Sequence, residues 1–334
     1  MAITNSALPF ILEGASTVWP NSMTEADFRP NIETLRAISE QQTANMQYTN
    51  LPDQADVKIT WINNCDITPV DCEDACSFTG ESADTYVKTM QIDQCKEVKF
   101  SEPIDAWRGN YFGLADAISV NLIKAQKSLA EVAAQYCIGV INSNAGVNTY
   151  DNNGEITISG TDNSFPGTSF EKTTIFGKLR RLAVKNYMNL PWILDGSNLD
   201  QLAWEAITAA GNADGKGDNA RINTMPLYVD LFNVDAVNTT EAVTYLLNRG
   251  SVAFASKAYY PTTPEVLGGT TTRFSISNRF FPMLKHDIEL QEVCSGGVWS
   301  IHYRVKARYD AFINPTGCTT NRTGILKLIN TGGI

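Results

Sequence analysis

Few residues in this chain are able to do chemistry, and they are unevenly placed. Four of the seven cysteines crowd together as Cys65-x6-Cys72-x3-Cys76-x18-Cys95, and the others stand at 137, 294 and 318. Structural zinc sites favour pairs spaced roughly two to four residues apart; only Cys72/Cys76 qualifies, with no second pair and no histidine nearby. Reduced thiols are the leading reading, with a local disulfide or a bound metal as the alternatives. An odd total leaves at least one thiol free or joined to another chain. A hydrolytic triad needs a histidine base, and only His286 and His302 exist. His302 stands between Ser300 and Arg304 on the polar side of an alternating stretch, where a solvated structural role is expected. No Gly-x-Ser-x-Gly elbow occurs.

Gly211-Asn-Ala-Asp-Gly215-Lys216-Gly217 falls one residue short of a phosphate loop and lacks the Ser or Thr after its lysine. Gly215-x-Gly217-x-x-Ala220 follows a helical pattern where a dinucleotide fingerprint needs a strand, so a surface loop is expected. Asp214 and Asp218 give only a fragment of a calcium-loop pattern. The sequons at Asn238 and Asn321 matter only in a glycosylating compartment. Arg304, Lys306 and Arg308 form a basic row at two-residue spacing; acids on an adjacent strand or subunit are the expected partners, with nucleic acid second. No catalytic constellation is visible. The expectation is a protein that is not an enzyme and holds no cofactor and no metal.

Composition narrows the class further. The 334 residues are 43% hydrophobic and 19% charged, and Lys+Arg 26 against Asp+Glu 36 leaves a net charge of −10. That is the wrong sign for a coat on nucleic acid. No run approaches the roughly 18 apolar residues that cross a bilayer, so no membrane partner is expected. The start, Met1 to Glu13, has no basic residue and is interrupted by Pro9, unlike a secretory signal.

Two elements dominate the pattern. Tyr111, Leu114, Ile118, Leu122, Ala125, Leu129, Val132, Tyr136 and Val140 recur in steps of three and four, predicting an uninterrupted helix of roughly 50 Å. Trp299, Ile301, Tyr303, Val305, Ala307, Tyr309, Ala311 and Ile313 alternate with polar residues, predicting a strand of similar length whose apolar face packs on that helix. Ser295-Gly-Gly297 turns the chain back onto Ile288–Val293. Before the long helix come a polar arm with one amphipathic stretch at 32–38, expected to lie across something other than a core of its own, and a strand at Val57–Trp61. The segments 85–92 and 97–100 read as two limbs of an extended hairpin closed by Pro103. Between helix and long strand, the pattern gives a turn at Asn153-Gly154, a helix carrying Ile175 to Tyr187 after a capping box at Thr168–Glu171, and a strand at 191–194. A second capped helix from Ser197, a strand at 226–231, a short helix at 240–248 ended by Gly250, and strands at 251–255 and 273–276 follow.

A polar arm, an extended excursion, a long helix, an α/β middle and a closing long strand, in that order, resemble the major capsid protein of tailed bacteriophages, the Hong-Kong-type shell fold. Phe170-Glu-Lys-Thr-Thr-Ile-Phe-Gly-Lys-Leu-Arg-Arg-Leu182 with Asn189-Leu-Pro-Trp-Ile-Leu194 is similar to the helix and strand of that family's axial domain. Arg304–Pro315 with Gly324–Lys327 is similar to its closing strand and tail; the Cys-rich insertion at 65–95 lies outside the pattern. The resemblance implies an α+β fold with an N-terminal arm (1–56), an extended E-loop-like hairpin (57–106), a peripheral domain with spine helix and long strand (107–165 and 286–334) and an α/β axial domain (166–285). It implies a shell subunit forming hexamers and pentamers around double-stranded DNA, located in the virion capsid and assembled in the host cytoplasm. Its partners would be other copies, a portal, scaffold or decoration proteins, and packaged DNA by weak non-specific contact. Tyr86, Lys88, Lys99, Phe100, Arg304, Lys306 and Arg308 are the interface candidates. The alternatives are an encapsulin-like compartment shell and, in a different class, a secreted carbohydrate-binding or hydrolytic protein using Trp192, Trp204 and Trp299 as sugar platforms.

Overall fold

The computed structural model describes residues 29–48, 56–62, 85–107, 111–170, 174–196, 198–199, 202, 220–222, 225–268, 271–314 and 323–331. Its centre is the long helix, α2 (Tyr111–Ser143), of 33 residues as the periodicity requires. Against it lies β15 (Val298–Ile313), a strand of 16 residues with one continuous buried face. Ile301, Tyr303, Val305, Ala307 and Tyr309 share one core with Leu114, Ile118, Leu122 and Leu129 of the helix. The expected packing holds, except that Trp299 at the outer end of the strand is half exposed.

β15 is the seam of a six-stranded sheet. One edge pairs with β14 (Lys285–Ser295) across the Gly296–Gly297 turn, whose glycines adopt φ of 62° and 83°. The other edge is shared in succession: β4 (Gln94–Pro103) covers residues 300–309, and β11 (Val252–Ser256) takes over from Tyr309 to Ile313. β13 (Thr271–Ser277) and β12 (Glu265–Leu267) extend the sheet beyond β14. A seven-stranded mixed sheet lies beside it in the order β5 (Thr157–Ser159), β6 (Asp162–Phe165), β16 (Ile325–Asn330), β10 (Ala242–Asn248), β7 (Pro191–Asp195), β9 (Met225–Val229), β8 (Ala220–Ile222). Trp192, Tyr228, Tyr245 and Leu247 carry one of its faces into the spine core, along with α5 (Leu231–Val237). The other face is covered by α4 (Thr174–Lys185) through Ile175, Phe176, Leu179 and Leu182, after the single turn α3 (Gly167–Phe170).

Several expectations need correction. Residues 242–248 form the central strand β10, not a helix: Ala-Val-Thr-Tyr-Leu-Leu-Asn is buried at every position, so it shows neither period cleanly. Gly250 serves the β10–β11 turn at φ 78°, where a Cβ would strike Thr43. The segments 85–92 and 97–100 do not pair with each other. β3 (Thr85–Gln91) pairs with β2 (Asp56–Ile62), which also pairs β1 (Asn45–Tyr48), whereas β4 joins β15. The hairpin of this stretch is therefore β2–β3, and β4 belongs to the six-stranded sheet. The amphipathic stretch of the arm is α1 (Glu33–Gln41), with Ile32, Leu35 and Ile38 fully buried in the chain's own core. Thr34 donates twice to Asp230, from its N–H at 3.0 Å and its hydroxyl at 2.6 Å, fixing the helix beside α5. Tyr187 lies past the end of α4, exposed, not on its buried face. The sheets also draw on both sides of the expected domain limits: β5, β6 and β16 sit in the seven-stranded sheet, and β11–β13 in the six-stranded one. The capped helix from Ser197 to Ala210, residues 1–28 of the arm, and Cys65, Cys72, Cys76 and Cys318 lie outside the described residues, apart from Asn198 and the buried Leu199 and Leu202.

A polar relay pins the spine to the loop before β14. Asn278 Oδ1 accepts from the N–H groups of Phe280 and Phe281 at 2.8 and 3.0 Å, which orients its amide. Its Nδ2 then donates to the Gln126 carbonyl at 2.9 Å and to His286 Nε2 at 2.8 Å. His286 is thereby a neutral acceptor, and burial lowers its pKa to about 3. The unfolded chain therefore takes up this proton first, and the stabilising contribution, complete above about pH 6.5, is lost as pH falls toward 3. Unfolding measured by calorimetry across that window should steepen with acid in the wild type by up to about 1.4 kcal/mol per pH unit relative to His286→Gln. Parallel profiles would contradict a neutral buried imidazole.

Candidate assembly surface

The face of the six-stranded sheet turned away from the spine is a ladder of charges. Strand alternation makes it so: when Tyr303, Val305 and Ala307 point at the helix, Arg304, Lys306 and Arg308 point outward, and on β4 the same rule turns Glu97 and Lys99 outward while Val98 and Phe100 turn in. Pairing outward from Gly296–Gly297 sets Glu289 opposite Arg304 and Asp287 opposite Lys306. On the other side, Lys99 stands opposite Arg304 and Glu97 opposite Lys306.

Glu289 is the hub. Arg273 reaches it at 3.0 Å, Arg304 at 3.2 Å and Lys306 at 3.5 Å, while the Tyr260 hydroxyl donates to it at 2.6 Å. Burial alone would raise its pKa, but the Tyr260 hydrogen bond and the charges of Lys306, Arg273 and Arg304 outweigh it and hold the carboxylate below its ordinary range. The same contact, after burial, pushes the Tyr260 phenol up to about 12. Asp287, almost wholly buried, binds Arg308 and accepts the backbone N–H groups of Tyr259 and Tyr260 at 2.8 and 2.9 Å. The Arg308 guanidinium lies 4.0 Å above the Tyr259 ring centre. At the rim, Lys99 binds Glu97 at 2.5 Å and, with Arg304 3.7 Å away, lowers its pKa in largely solvated surroundings.

Five of the seven candidates are thus brought together on β4 and β15, and Arg304, Lys306 and Arg308 find the adjacent-strand acids expected of them. Phe100 differs: it faces the core and stacks on Tyr303 at 4.7 Å. Tyr86 and Lys88 lie on β3, two positions apart, opposite Trp61 and Ile59 of β2. Glu97, Asp287, Glu289, Arg273, Tyr259 and Tyr260 went unnoticed in the sequence, although the Gly-Gly turn and alternation place Asp287 and Glu289. The β2–β3 hairpin meets the body through a small cluster of Val57, Ile59, Ile92, Ala255 and Phe312. Asp310 reinforces this joint, accepting from the Tyr136 hydroxyl of the spine at 2.7 Å and from the Asp93 N–H at 3.3 Å.

Other motifs do not assemble into sites. Trp192 is buried, donating to the Asn248 carbonyl at 3.3 Å, so it offers no sugar platform. Asn238 is buried and bonded to Val234 and Tyr245. His302 is exposed on the outer face. Trp204, Asp214, Asp218, the 211–217 loop and Asn321 lie outside the described residues. Among the described residues no three His, Cys, Asp or Glu side chains converge to hold a metal, and no helix is long and apolar enough to cross a membrane.

No family model and no curated protein sequence matches the chain. Among solved structures it is similar to a chain of the cyanophage A-1(L) capsid asymmetric unit, 12% identical over 82% of this chain and 87% of that one, with a TM-score of 0.53. It is also similar to a chain of the cyanophage Pam1 capsid asymmetric unit, 10% identical over 85% and 87%, with a TM-score of 0.48. The α+β shell fold expected from the sequence resemblance is the fold of this chain.

The ladder predicts unequal losses. Glu289→Gln should lower unfolding free energy by about 1–3 kcal/mol, since three cations lose a half-buried common partner. Glu97→Gln, removing a solvated rim charge, should cost under about 1 kcal/mol. Urea denaturation of the two variants checks this order; equal losses would contradict the hub.

Proposed function

We propose that this chain is a self-assembling shell subunit, the major capsid protein of a tailed bacteriophage. The observation that carries the reading is its fold, shared over most of its length with the A-1(L) capsid chain at a TM-score of 0.53. The architecture supports it independently. A 33-residue spine and a 16-residue strand are far longer than the usual helix and strand, and the β2–β3 hairpin meets the six-stranded sheet through only a small apolar cluster. Such elements find further partners on neighbouring copies. In this reading subunits form rings of six and five that close an icosahedral wall around double-stranded DNA, with a portal at one vertex and scaffold or decoration proteins as assembly partners. Assembly takes place in the host cytoplasm, and the product is the virion capsid. A net charge of −10 suits a wall that must not adhere to the nucleic acid it encloses, which leaves weak, non-specific contact. Lys99, Arg304, Lys306 and Arg308 on the sheet and Tyr86 and Lys88 on the hairpin are proposed to meet neighbouring subunits, with Phe100 supporting the sheet from inside.

Electron microscopy of the purified, concentrated chain should show closed particles or rings. A chain that stays monomeric at every concentration and salt, alone or co-expressed with the other structural proteins of its source, would contradict the function.

A further inference from the structure

Two exposed patches on the seven-stranded sheet stand out because their charges lack partners of opposite sign among the described residues. The first lies at the C-terminal end of α4. Arg180, Arg181, Val184 and Tyr187 follow one another at helical spacing toward solvent, and Leu190 joins them at the entry to β7. Tyr187 is 65% exposed and sits at φ 58°, the left-handed region that a helix stop ordinarily gives to glycine or asparagine. Asn186, next to it, is instead buried, donating to the Asn148 side chain and the Leu182 carbonyl. The stop is therefore built so that the aromatic ring is left outside. Arg249 closes the patch, its N–H bonded to the Leu190 carbonyl at 2.9 Å. Among the described residues none of Arg180, Arg181 and Arg249 has a carboxylate partner, in contrast to the fully paired ladder on the other sheet.

The second patch has the opposite sign. At the start of α5, Leu231 and Phe232 point outward, Phe232 52% exposed, with Asp235 beside them. Asp235 has no cation partner among the described residues, and burial together with the Asp230 charge raises its pKa. Glu131 of the spine reaches the same place, accepting the Asn31 N–H at 3.2 Å while the Asn31 carbonyl accepts from Asn233.

The patches occupy opposite faces of the sheet, since α4 covers one and α5 the other. They also sit at opposite ends of β7, the first beside Pro191 and the second beyond Asp195, whose carbonyl accepts the Asp230 N–H. Two complementary patches facing different ways cannot satisfy each other within one chain, nor by a two-fold pairing of like surfaces. They can do so head to tail, the contact that closes rings. We propose that the Arg180/Arg181/Tyr187/Arg249 patch of one subunit docks on the Leu231/Phe232/Asp235 patch of the next copy of this chain. Exposed tyrosine and arginine around an aliphatic centre favour a protein partner over nucleic acid, because Val184 and Leu190 offer nothing to a base or a phosphate. The inference rests on the shell-subunit reading for its biological setting.

The test is a photo-crosslink and a charge swap in the full chain. With p-benzoylphenylalanine replacing Tyr187, irradiation of the assembled protein should join it to residues around 231–235 of a second copy, identified by mass spectrometry. Arg180→Glu with Arg181→Glu should cut the yield of rings or particles by about tenfold or more, since like charges then oppose across the contact. The monomer's thermal unfolding should stay unchanged. Adding Asp235→Arg to the same chain should restore assembly. Particles that carry the photo-probe at position 187 and form no crosslink, double variants that assemble normally, or a swap that restores nothing would each overturn the docking while leaving the shell function intact. Loss of co-purifying nucleic acid with undiminished assembly would assign the patch to nucleic acid instead and overturn it too. A wild-type chain that forms no particles would sink the shell reading, and the crosslink would still report whether two copies meet here.

Discussion

Everything in this molecule depends on a strand of 16 residues burying one face along nearly its whole length. At roughly 3.3 Å per residue, β15 runs about 50 Å, and only a helix of some 33 residues at 1.5 Å each can cover it. The match of Ile301, Tyr303, Val305, Ala307 and Tyr309 to Leu114 through Leu129 is what makes one core of two long, thin elements. That length has a consequence at the strand's far edge, which no single neighbour covers. β4 serves the first part and β11 the second, and the handover near Tyr309 is where the β2–β3 hairpin joins the body. The hairpin is thus anchored on the seam itself, through the Phe312 cluster and the Asp93 N–H bond to Asp310.

The parts that read easily from sequence were those with a sustained period. The spine and β15 repeat their patterns over so many residues that no rival interpretation survives, and the Gly296–Gly297 turn fixes the β14 register without further information. Shorter elements failed for definite reasons. Residues 242–248 lie between two strands with both faces covered, so the alternation that marks a half-buried strand is absent. β3 and β4 follow closely in sequence and read as a hairpin, but β3 pairs along its whole length with β2 and β4 along its whole length with β15, and non-local pairing wins. The buried side of α1 was visible as a pattern, yet its partner on the spine was not. Within the charge ladder, Asp287 and Glu289 were derivable from the turn, whereas Tyr259 and Tyr260 arrive through a loop whose path depends on the whole sheet.

Charge is handled differently in the two sheets. On the six-stranded sheet, cations outnumber acids locally, and yet Glu289 gathers three of them while the Tyr259 ring covers a fourth, Arg308. That surface is largely satisfied within the chain. At the ends of the seven-stranded sheet, charges of both signs are left beside exposed apolar side chains. A subunit of a closed wall needs both kinds of surface: one whose charges are already ordered by their own pairs when it meets a neighbour, and one whose completion requires another copy.

The central claim is that the spine and β15 form a single cooperative unit to which the other elements attach. Native-state hydrogen exchange tests it most directly. Amides of residues 301–309 and of the spine from 118 to 141 should share the slowest exchange and the same denaturant dependence, opening only with global unfolding, while those of β2 and β3 exchange through a smaller, separate opening. A spine that exchanges independently of β15, or a β2–β3 hairpin as protected as the seam, would contradict it.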